Sequence, residues 1–208
     1  MRFRLRYRGL LRPHRVGDKD DPDKMAPHVH AVRRVFHPQL KQLWATNRFL
    51  SSHESYPSDY GLPALPDGGR LPLVDMVACS HALNGFRFVP LVRGDWSLNC
   101  SLSILFLKRD LPGSQLVHRG DLDNRLKTLI DALRYPETPR ETGGATPGPG
   151  EDPFFCLLQK DEYITGLSVE TDHLLEPLLA GEDESYVDLV ITVDVKPYTV
   201  TMFNLAFS

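Results

Sequence analysis

The sequence predicts an α+β domain in which a mixed β-sheet carries helices packed on one face. Three features predict it: a strictly alternating N-terminal segment, one strongly amphipathic helix, and several apolar strand-like segments around that helix. The expected order is β, α, β, β, α, β, a short helix, then β. A chain of 208 residues is long enough for one such domain and short for two.

The first element is an alternating segment over residues 2–8. Phe3, Leu5 and Tyr7 alternate with arginines. A period of two indicates a strand with one buried face and one cationic face. The cationic face would supply sequence-independent, salt-sensitive affinity for a phosphate backbone. The arginines are Arg2, Arg4, Arg6 and Arg8.

The next segments alternate between helical and strand-like patterns. Residues 27–49 space their apolar side chains as one or two helices do, with Pro38 near a boundary or in a first turn. Residues 51–72 are rich in Gly, Pro and Ser and indicate a loop. Apolar alternation predicts strands over 85–92 and 96–107.

The second half begins with the best helix of the chain, over residues 121–135, with Asp121 placed as its N-cap. Residues 136–153 contain Gly-Gly and Pro-Gly-Pro-Gly, which predicts a mobile loop that buries almost nothing. A short helix is expected over 171–179. Further strands are expected over residues 154–158, 163–169 and 186–195.

Composition narrows the class of protein. Net charge is −3, with a basic first quarter and an acidic last quarter. The N-terminus has no signal-peptide pattern and no segment is long and apolar enough to span a bilayer, so we expect a soluble, cytoplasmic protein with no membrane contact. Cys79, Cys100 and Cys156 are far apart, which favours reduced and mostly buried thiols. No Gly-x-Ser-x-Gly elbow is present, and the histidines are not spaced as a zinc set.

The predicted helix over 121–135 carries two distinct faces. Four leucines share one sector, and Asp123, Lys127 and Asp131 share the neighbouring sector. One interpretation is purely structural: an Asp N-cap and an Asp–Lys pair one turn apart stabilise many helices. We interpret Asp131 as structural, paired with Arg134 or Lys127. The leucines are Leu122, Leu126, Leu129 and Leu133.

A second interpretation is chemical. Asp121 and Asp123 open the helix, and Asp161 lies in a second acidic segment at the junction of two strand-like segments. Carboxylate oxygens from separate elements are the ligands that Mg²⁺ prefers, with vacant positions left for phosphate and water. Lys127 would then contact a phosphate oxygen or stabilise charge in the transition state.

The string Asp121-Leu122-Asp123-Asn124-x-x-Lys127-x-x-x-Asp131-Ala132-Leu133, followed later by Asp161 and an alternating apolar strand, resembles the signature of RusA-type Holliday junction resolvases. The resemblance covers about residues 98–196. It implies a RusA-like fold and a Mg²⁺-dependent endodeoxyribonuclease, with Mn²⁺ as a substitute, that acts as a homodimer on four-way DNA junctions. Such an enzyme serves DNA recombination and repair. The resemblance also implies that Asp121, Asp123 and Asp161 bind metal and that Lys127 is the catalytic lysine.

The chain departs from the family pattern in three places. Lys160 stands where the family often has an acid, so the third carboxylate is Asp161 or, as the weaker alternative, Glu162. Residues 27–84 look like an added region within a single domain spanning 1–208, and the loop over 136–153 is unusually long. Besides the four N-terminal arginines, we expect Arg119 and Asn124 to contact DNA.

Two other functions fit parts of the pattern. The first is a non-catalytic nucleic-acid-binding or regulatory module that keeps the fold. Binding of junction DNA without Mg²⁺-dependent cleavage would favour it. The second is a Mg²⁺-dependent sugar or nucleotidyl transferase, which is weaker because no Gly-rich nucleotide loop precedes the Asp-x-Asp motif.

Overall fold

The computed structural model describes residues 1–14, 24–109, 119–177, 186–201 and 204–207, and for residues 60 and 119–121 it describes the backbone only. Residues 15–23 and 110–118 lie outside this description. The described part confirms the α+β class: it contains four α-helices and several sheets. No described helix is long and apolar enough to cross a membrane.

The elements in chain order are β1 (Arg2–Leu10), α1 (Ala26–Thr46), α2 (Arg48–Ser52), β2 (Glu54–Ser55), β3 (Leu71–Pro72), α3 (Leu73–Ser80), β4 (Ala82–Leu83), β5 (Phe86–Val92), β6 (Leu98–Lys108), α4 (Arg119–Leu133), β7 (Phe154–Leu158), β8 (Ile164–His173) and β9 (Tyr186–Pro197). Short 3₁₀ turns span Pro57–Tyr60, Gly94–Trp96, Pro139–Thr142, Asp161–Tyr163 and Leu205–Phe207.

The strands divide between sheets, whereas the sequence predicted one mixed sheet. A four-stranded mixed sheet has the order β1-β9-β6-β8, in which only the β6–β8 pair is parallel. A three-stranded sheet has the order β4-β5-β7, and β2 pairs with β3. The inward side chains of the four-stranded sheet share one hydrophobic core with α1, α3 and α4. Since α3 and all of α1 except Ala26 lie within residues 27–84, the region that looks like an addition contributes to this core.

Several elements match their patterns. In β1, Leu5 and Tyr7 are buried while Arg2, Arg4 and Arg6 are exposed, as the alternation predicts. In α4, the stripe of leucines faces the core: Leu126, Leu129 and Leu133 are buried and Leu122 is partly buried against it.

Four local predictions are wrong. Pro38 lies inside α1 and not near a boundary or in a first turn. Because proline has no N–H, the carbonyl one turn earlier lacks its helical hydrogen bond, and this carbonyl lies on the solvent side of the helix. The helix expected over 171–179 is strand up to His173, because β8 continues its parallel pairing with β6 through Lys108↔His173; residues 178 and 179 lie outside the description. Asp121 is not the N-cap, since α4 already begins at Arg119. The fourth concerns the long loop.

The loop over residues 136–153 packs on α1 instead of burying almost nothing. Thr142 is fully buried. Gly143 has a φ of +61°, and a Cβ there would lie 2.6 Å from the backbone of Pro27, so this contact requires glycine. Arg34 forms an ion pair with Glu151 at 2.8 Å. The loop therefore acts as a packed layer against the first half of α1.

Candidate functional site

The predicted catalytic helix is held in place from two sides. On one side the backbone that follows β1 runs along it: Arg125 donates to the carbonyl of Leu11 and the Thr128 hydroxyl donates to the carbonyl of Arg12, both at 2.8 Å. On the other side α1 packs against it. These contacts fix the orientation of α4, and with it the side chains that α4 presents to solvent.

Asp123 and Lys127 lie one helical turn apart on the exposed side of α4. Among the described residues, neither side chain forms a hydrogen bond or ion pair, and the helix salt bridge that the structural interpretation expected does not form there. An unpartnered carboxylate and an unpartnered ammonium, both open to solvent, are available to an external ligand. Asn124 is half-buried, and its carbonyl accepts from the His14 N–H at 3.3 Å.

Asp161 opens the short 3₁₀ turn between β7 and β8, and its side chain is exposed. The strand that leads into this turn, β7, contacts the C-terminal end of α4, because the Tyr135 N–H donates to the carbonyl of Leu158 at 3.0 Å. Asp123 is 11 residues before Arg134, the residue that pairs with Leu158, so it lies about 16 Å away along the helix axis at 1.5 Å per residue.

The pairing of β8 with β6 positions the turn that contains Asp161. Because β8 is parallel to β6, its first residue, Ile164, pairs with Cys100 near the start of β6. Within the described residues, no hydrogen bond or ion pair joins Asp161 to Asp123 or Lys127.

The third predicted metal ligand, Asp121, and the DNA-contact residue Arg119 have side chains outside the description. Among the side chains that are described, no group of three His, Cys, Asp or Glu could hold a metal ion. A site that includes Asp121 is not covered by that finding. The site of Asp121, Asp123 and Asp161 therefore stays a prediction.

The four arginines of β1 fall into two pairs with different surroundings. Arg6 forms a two-point ion pair with Asp188, with distances of 3.2 Å and 2.7 Å, and these contacts raise the pKa of its guanidinium. Arg8 is paired with Glu176. Arg2 and Arg4 are exposed and form no ion pair with a described residue, so they are the members of the predicted row that remain open to a phosphate.

The C-terminal end of α4 contains a buried charged cluster that the sequence did not reveal. Arg33 is 1% exposed, and its guanidinium donates to the carbonyls of Asp131 and Arg134, each at 2.9 Å. It also contacts the Nδ1 of His30 at 3.0 Å and the carbonyl of Glu141 at 3.4 Å. A guanidinium at the C-terminus of a helix is favoured by the helix dipole and satisfies carbonyls that the helix leaves unpaired.

Asp131 belongs to this same structural cluster. Its carboxylate lies 3.5 Å from the Nε of Arg134 and 3.4 Å from the Nε2 of His14. Arg134 also pairs with Glu141 at 2.9 Å. These contacts support the structural interpretation of Asp131. The cluster borders a cleft of about 230 Å³ whose apolar wall is formed by Met25, Ala26 and Val29.

The cysteines and the core histidines have structural surroundings. Burial raises the pKa of the Cys100 and Cys156 thiols to about 12, so neither is a thiolate nucleophile at neutral pH. Cys79 is exposed, and none of the three forms a disulfide. The Nδ1 of His37 accepts from the Phe155 N–H at 2.9 Å, which leaves its Nε2–H to donate to the carbonyl of Gly150 at 3.1 Å.

No family model, curated protein or solved structure matches the chain. The resemblance to RusA-type resolvases therefore rests on the sequence pattern alone.

Proposed function

We propose that the protein is a Mg²⁺-dependent endonuclease that hydrolyses phosphodiester bonds in branched DNA, with Mn²⁺ as an alternative ion. One observation carries the proposal: Asp123 and Lys127 are exposed and have no side-chain partner among the described residues, on a helix that is otherwise firmly packed. A carboxylate and an ammonium that serve no described intramolecular contact, at the spacing of a nuclease signature, are free to engage a phosphate and its metal ion.

Each residue has a role in this proposal. Asp121 and Asp123 would hold the ion, and Asp161 would supply the third carboxylate. The carboxylates of Asp123 and Asp161, which are exposed and have no partner among the described residues, fit a hard, oxygen-seeking cation. When bound, the ion supplies charge neutralisation at the phosphate and a more acidic bound water. Lys127 donates to a non-bridging phosphate oxygen and stabilises the negative charge that develops there.

The remaining contacts would orient the DNA. Asn124 and Arg119, next to the carboxylates in sequence, would bind flanking phosphates. Arg2 and Arg4 would add salt-sensitive affinity at a second place on the surface. None of these side chains needs to contact a base edge, which suits an enzyme that recognises DNA shape.

The decisive experiment is cleavage of end-labelled four-way, flapped and linear DNA with Mg²⁺, Mn²⁺ or EDTA. The parent should nick branched DNA only with a metal ion. Asp123→Asn should lower the rate by about 100-fold or more while junction binding persists. Asp59→Asn, an exposed carboxylate in the Pro57–Tyr60 turn, is the matched control. A D123N protein that cuts like the parent would exclude the metal assignment.

Asp161→Asn tests whether Asp161 is the third metal ligand. If Asp161 completes the site, D161N should lose cleavage as D123N does. If D161N retains full activity while D123N is inactive, the ion is held at the start of α4 alone. The Lys127→Ala variant should lower cleavage with binding of the metal ion retained, and Lys127→Arg should recover part of the rate.

A second candidate function is the non-catalytic nucleic-acid-binding or regulatory module. The observation that favours it is that the strand leading to Asp161 meets α4 at its C-terminal end, through Leu158 with Arg134 and Tyr135, and not at the end that carries Asp123. This function predicts that the parent binds four-way junctions but leaves them intact with either metal ion. The same panel of DNAs therefore separates the two functions.

The DNA-binding surface makes an independent prediction. Arg2→Ala/Arg4→Ala should weaken binding and reduce the slope of log affinity against log salt by about 2, since each lost phosphate contact contributes roughly 0.9. Arg6→Ala/Arg8→Ala is the matched control, because both of those arginines are already paired within the chain. Equal losses in the two double variants would contradict the assignment.

A further inference from the structure

The two edge strands of the four-stranded sheet, β1 and β8, have different surroundings. On β1, the side-chain amide of Gln39 bonds to both backbone groups of Arg6. Its Oε1 accepts from the N–H at 2.9 Å and its Nε2 donates to the carbonyl at 2.8 Å. Helix α1 thereby occupies the β1 edge where a further strand would pair. On β8, no described strand pairs with the side that faces away from β6.

The backbone of β8 directs hydrogen-bonding groups to this free edge. The Leu174 N–H donates to the carbonyl of Lys108 on β6 at 2.7 Å. Because successive residues of a strand direct their backbone groups to opposite sides, the odd-numbered residues of β8 direct theirs away from β6. The bond from the His173 N–H to the carboxylate of Asp172 at 2.7 Å agrees with this alternation. The open positions that precede it are Leu167, Val169 and Thr171.

The side chains of β8 give the free edge an apolar side and an acidic side. Leu167 pairs with the buried Leu102 and so points to the core side, yet it is 47% exposed. Val169 points the same way and is half-buried. Glu170 and Asp172 point to the opposite side, where both are exposed and neither forms an ion pair with a described residue. A strand added to β8 would cover Leu167 and lie beside two carboxylates.

We propose that the β8 edge binds an extended peptide segment of a partner protein, in which apolar residues alternate with Lys or Arg. In this mode of recognition, main-chain hydrogen bonds supply the affinity and alternate side chains supply the specificity. The apolar side chains of the segment cover Leu167 and Val169, and its cationic side chains lie opposite Glu170 and Asp172. Opposite charges stabilise neighbouring strands and like charges destabilise them, so the two carboxylates exclude acidic segments.

A basic peptide segment fits the β8 edge better than nucleic acid does. The carboxylates of Glu170 and Asp172 repel a phosphate backbone. Charged side chains also protect many edge strands from uncontrolled pairing, but protection alone does not explain an exposed Leu167 beside three open backbone positions. A basic segment satisfies the backbone groups, the apolar side and the acidic side together. The inference does not depend on the nuclease proposal, because it uses no residue of the proposed catalytic site.

The first test is binding of two fluorescein-labelled peptides of about seven residues, one alternating valine with lysine and one alternating valine with glutamate, measured by fluorescence anisotropy. The parent should bind the lysine peptide at least about tenfold more tightly than the glutamate peptide. A parent that binds neither peptide, or both equally, would overturn the proposal. So would a parent that sediments as a dimer in which the free edge of β8 is already protected from hydrogen exchange.

Amide hydrogen exchange, followed residue by residue by NMR, locates the bound peptide. In the free protein, the amides of Val169 and Thr171 should exchange faster than the amide of Glu170, which bonds to β6. With the lysine peptide at saturation, exchange at Val169 and Thr171 should slow by at least about tenfold, because their N–H groups acquire acceptors. Unchanged exchange at these two amides would show that the peptide binds elsewhere.

Two variants separate the contribution of the backbone from that of the charges. Val169→Pro removes an N–H that faces the free edge and no bond to β6, so the folded state should survive, which circular dichroism checks. It should weaken binding of the lysine peptide at least about tenfold. Glu170→Lys should remove the preference for the lysine peptide, and Glu54→Lys, on the exposed surface of β2, is the matched control. If E170K keeps the preference of the parent, the acidic side of β8 does not select the partner.

Discussion

The start and the end of α4 both carry charged side chains, but these side chains have different surroundings. At the end of the helix, Arg33, Asp131 and Arg134 each have several partners and lie largely in the interior. At the start, Asp123 and Lys127 are exposed and have none among the described residues. The comparison suggests that charges at the end of α4 maintain the fold, whereas those at its start are available for chemistry.

The largest effect on stability is expected from Arg33→Met. This change removes a buried cation and leaves the carbonyls of Asp131 and Arg134 without donors, which costs about 3 kcal/mol of the free energy of unfolding. Arg33→Lys should cost less, because an ammonium keeps the charge and some donors. Urea denaturation measures both. If R33M is as stable as the parent, the cluster does not hold the helix end.

His30, which contacts Arg33, should have an effect of similar size on stability, and this effect depends on pH. Burial, assisted by the positive charge of Arg33, lowers the pKa of His30 to about 4, whereas a histidine in the unfolded chain titrates near 6.5. The folded protein therefore favours the neutral form of His30. The contribution of His30 to the free energy of unfolding is fully present above about pH 6.5. It is lost as the pH falls toward 4, by up to about 3 kcal/mol.

The measurement is the free energy of unfolding at pH 7 and pH 4.5 for the parent and for His30→Gln. Because carboxylates also titrate in this range, the informative quantity is the difference between the two proteins. The variant should lose less stability on acidification than the parent. His53→Gln is the control, and an H30Q protein with the same pH dependence as the parent would contradict this assignment.

The smallest effects on stability are expected from substitutions of the two aspartates of α4, Asp131 and Asp123. Asp131→Ala should destabilise the protein by about 1 kcal/mol, because it removes the partner of His14 and Arg134. Asp123→Ala should change stability by less than about 0.5 kcal/mol, as expected for an exposed residue with no partner among the described residues. Thermal unfolding of both variants checks this order. A reversed order would mean that the start of α4 is also structural.

The fold was predictable from sequence where the local spacing of apolar residues determines which face of a strand or helix is buried. The alternation of Leu5 and Tyr7 with arginines gave β1, and the spacing of Leu126, Leu129 and Leu133 gave the buried face of α4. Prediction failed where long-range contacts decide. The segment around Thr171 is a strand because β6 pairs with it, and the Gly- and Pro-rich loop is packed because α1 offers it a surface.

The site was predictable to a smaller extent. The exposure of Asp123 and Lys127 follows from their position beside the leucine stripe. The pairing of Arg6 with Asp188, a residue 182 positions later, leaves no trace in a local pattern. Similarly, Arg33 lies in a helical segment with ordinary spacing, and nothing local distinguishes it from the exposed Arg34 beside it.

The position of β9 has a consequence for how the chain assembles during synthesis. β9 lies between β1 and β6 and joins them by hydrogen bonds along both of its edges. It is also the last strand of the described chain to leave the ribosome. Until it emerges, β1 and β6 have no neighbour in common, and the backbone groups that pair with β9 in the folded sheet contact water or a chaperone. We therefore expect the central sheet to form late, after translation has passed Pro197, with ribosome-bound nascent chains shorter than this remaining protease-sensitive.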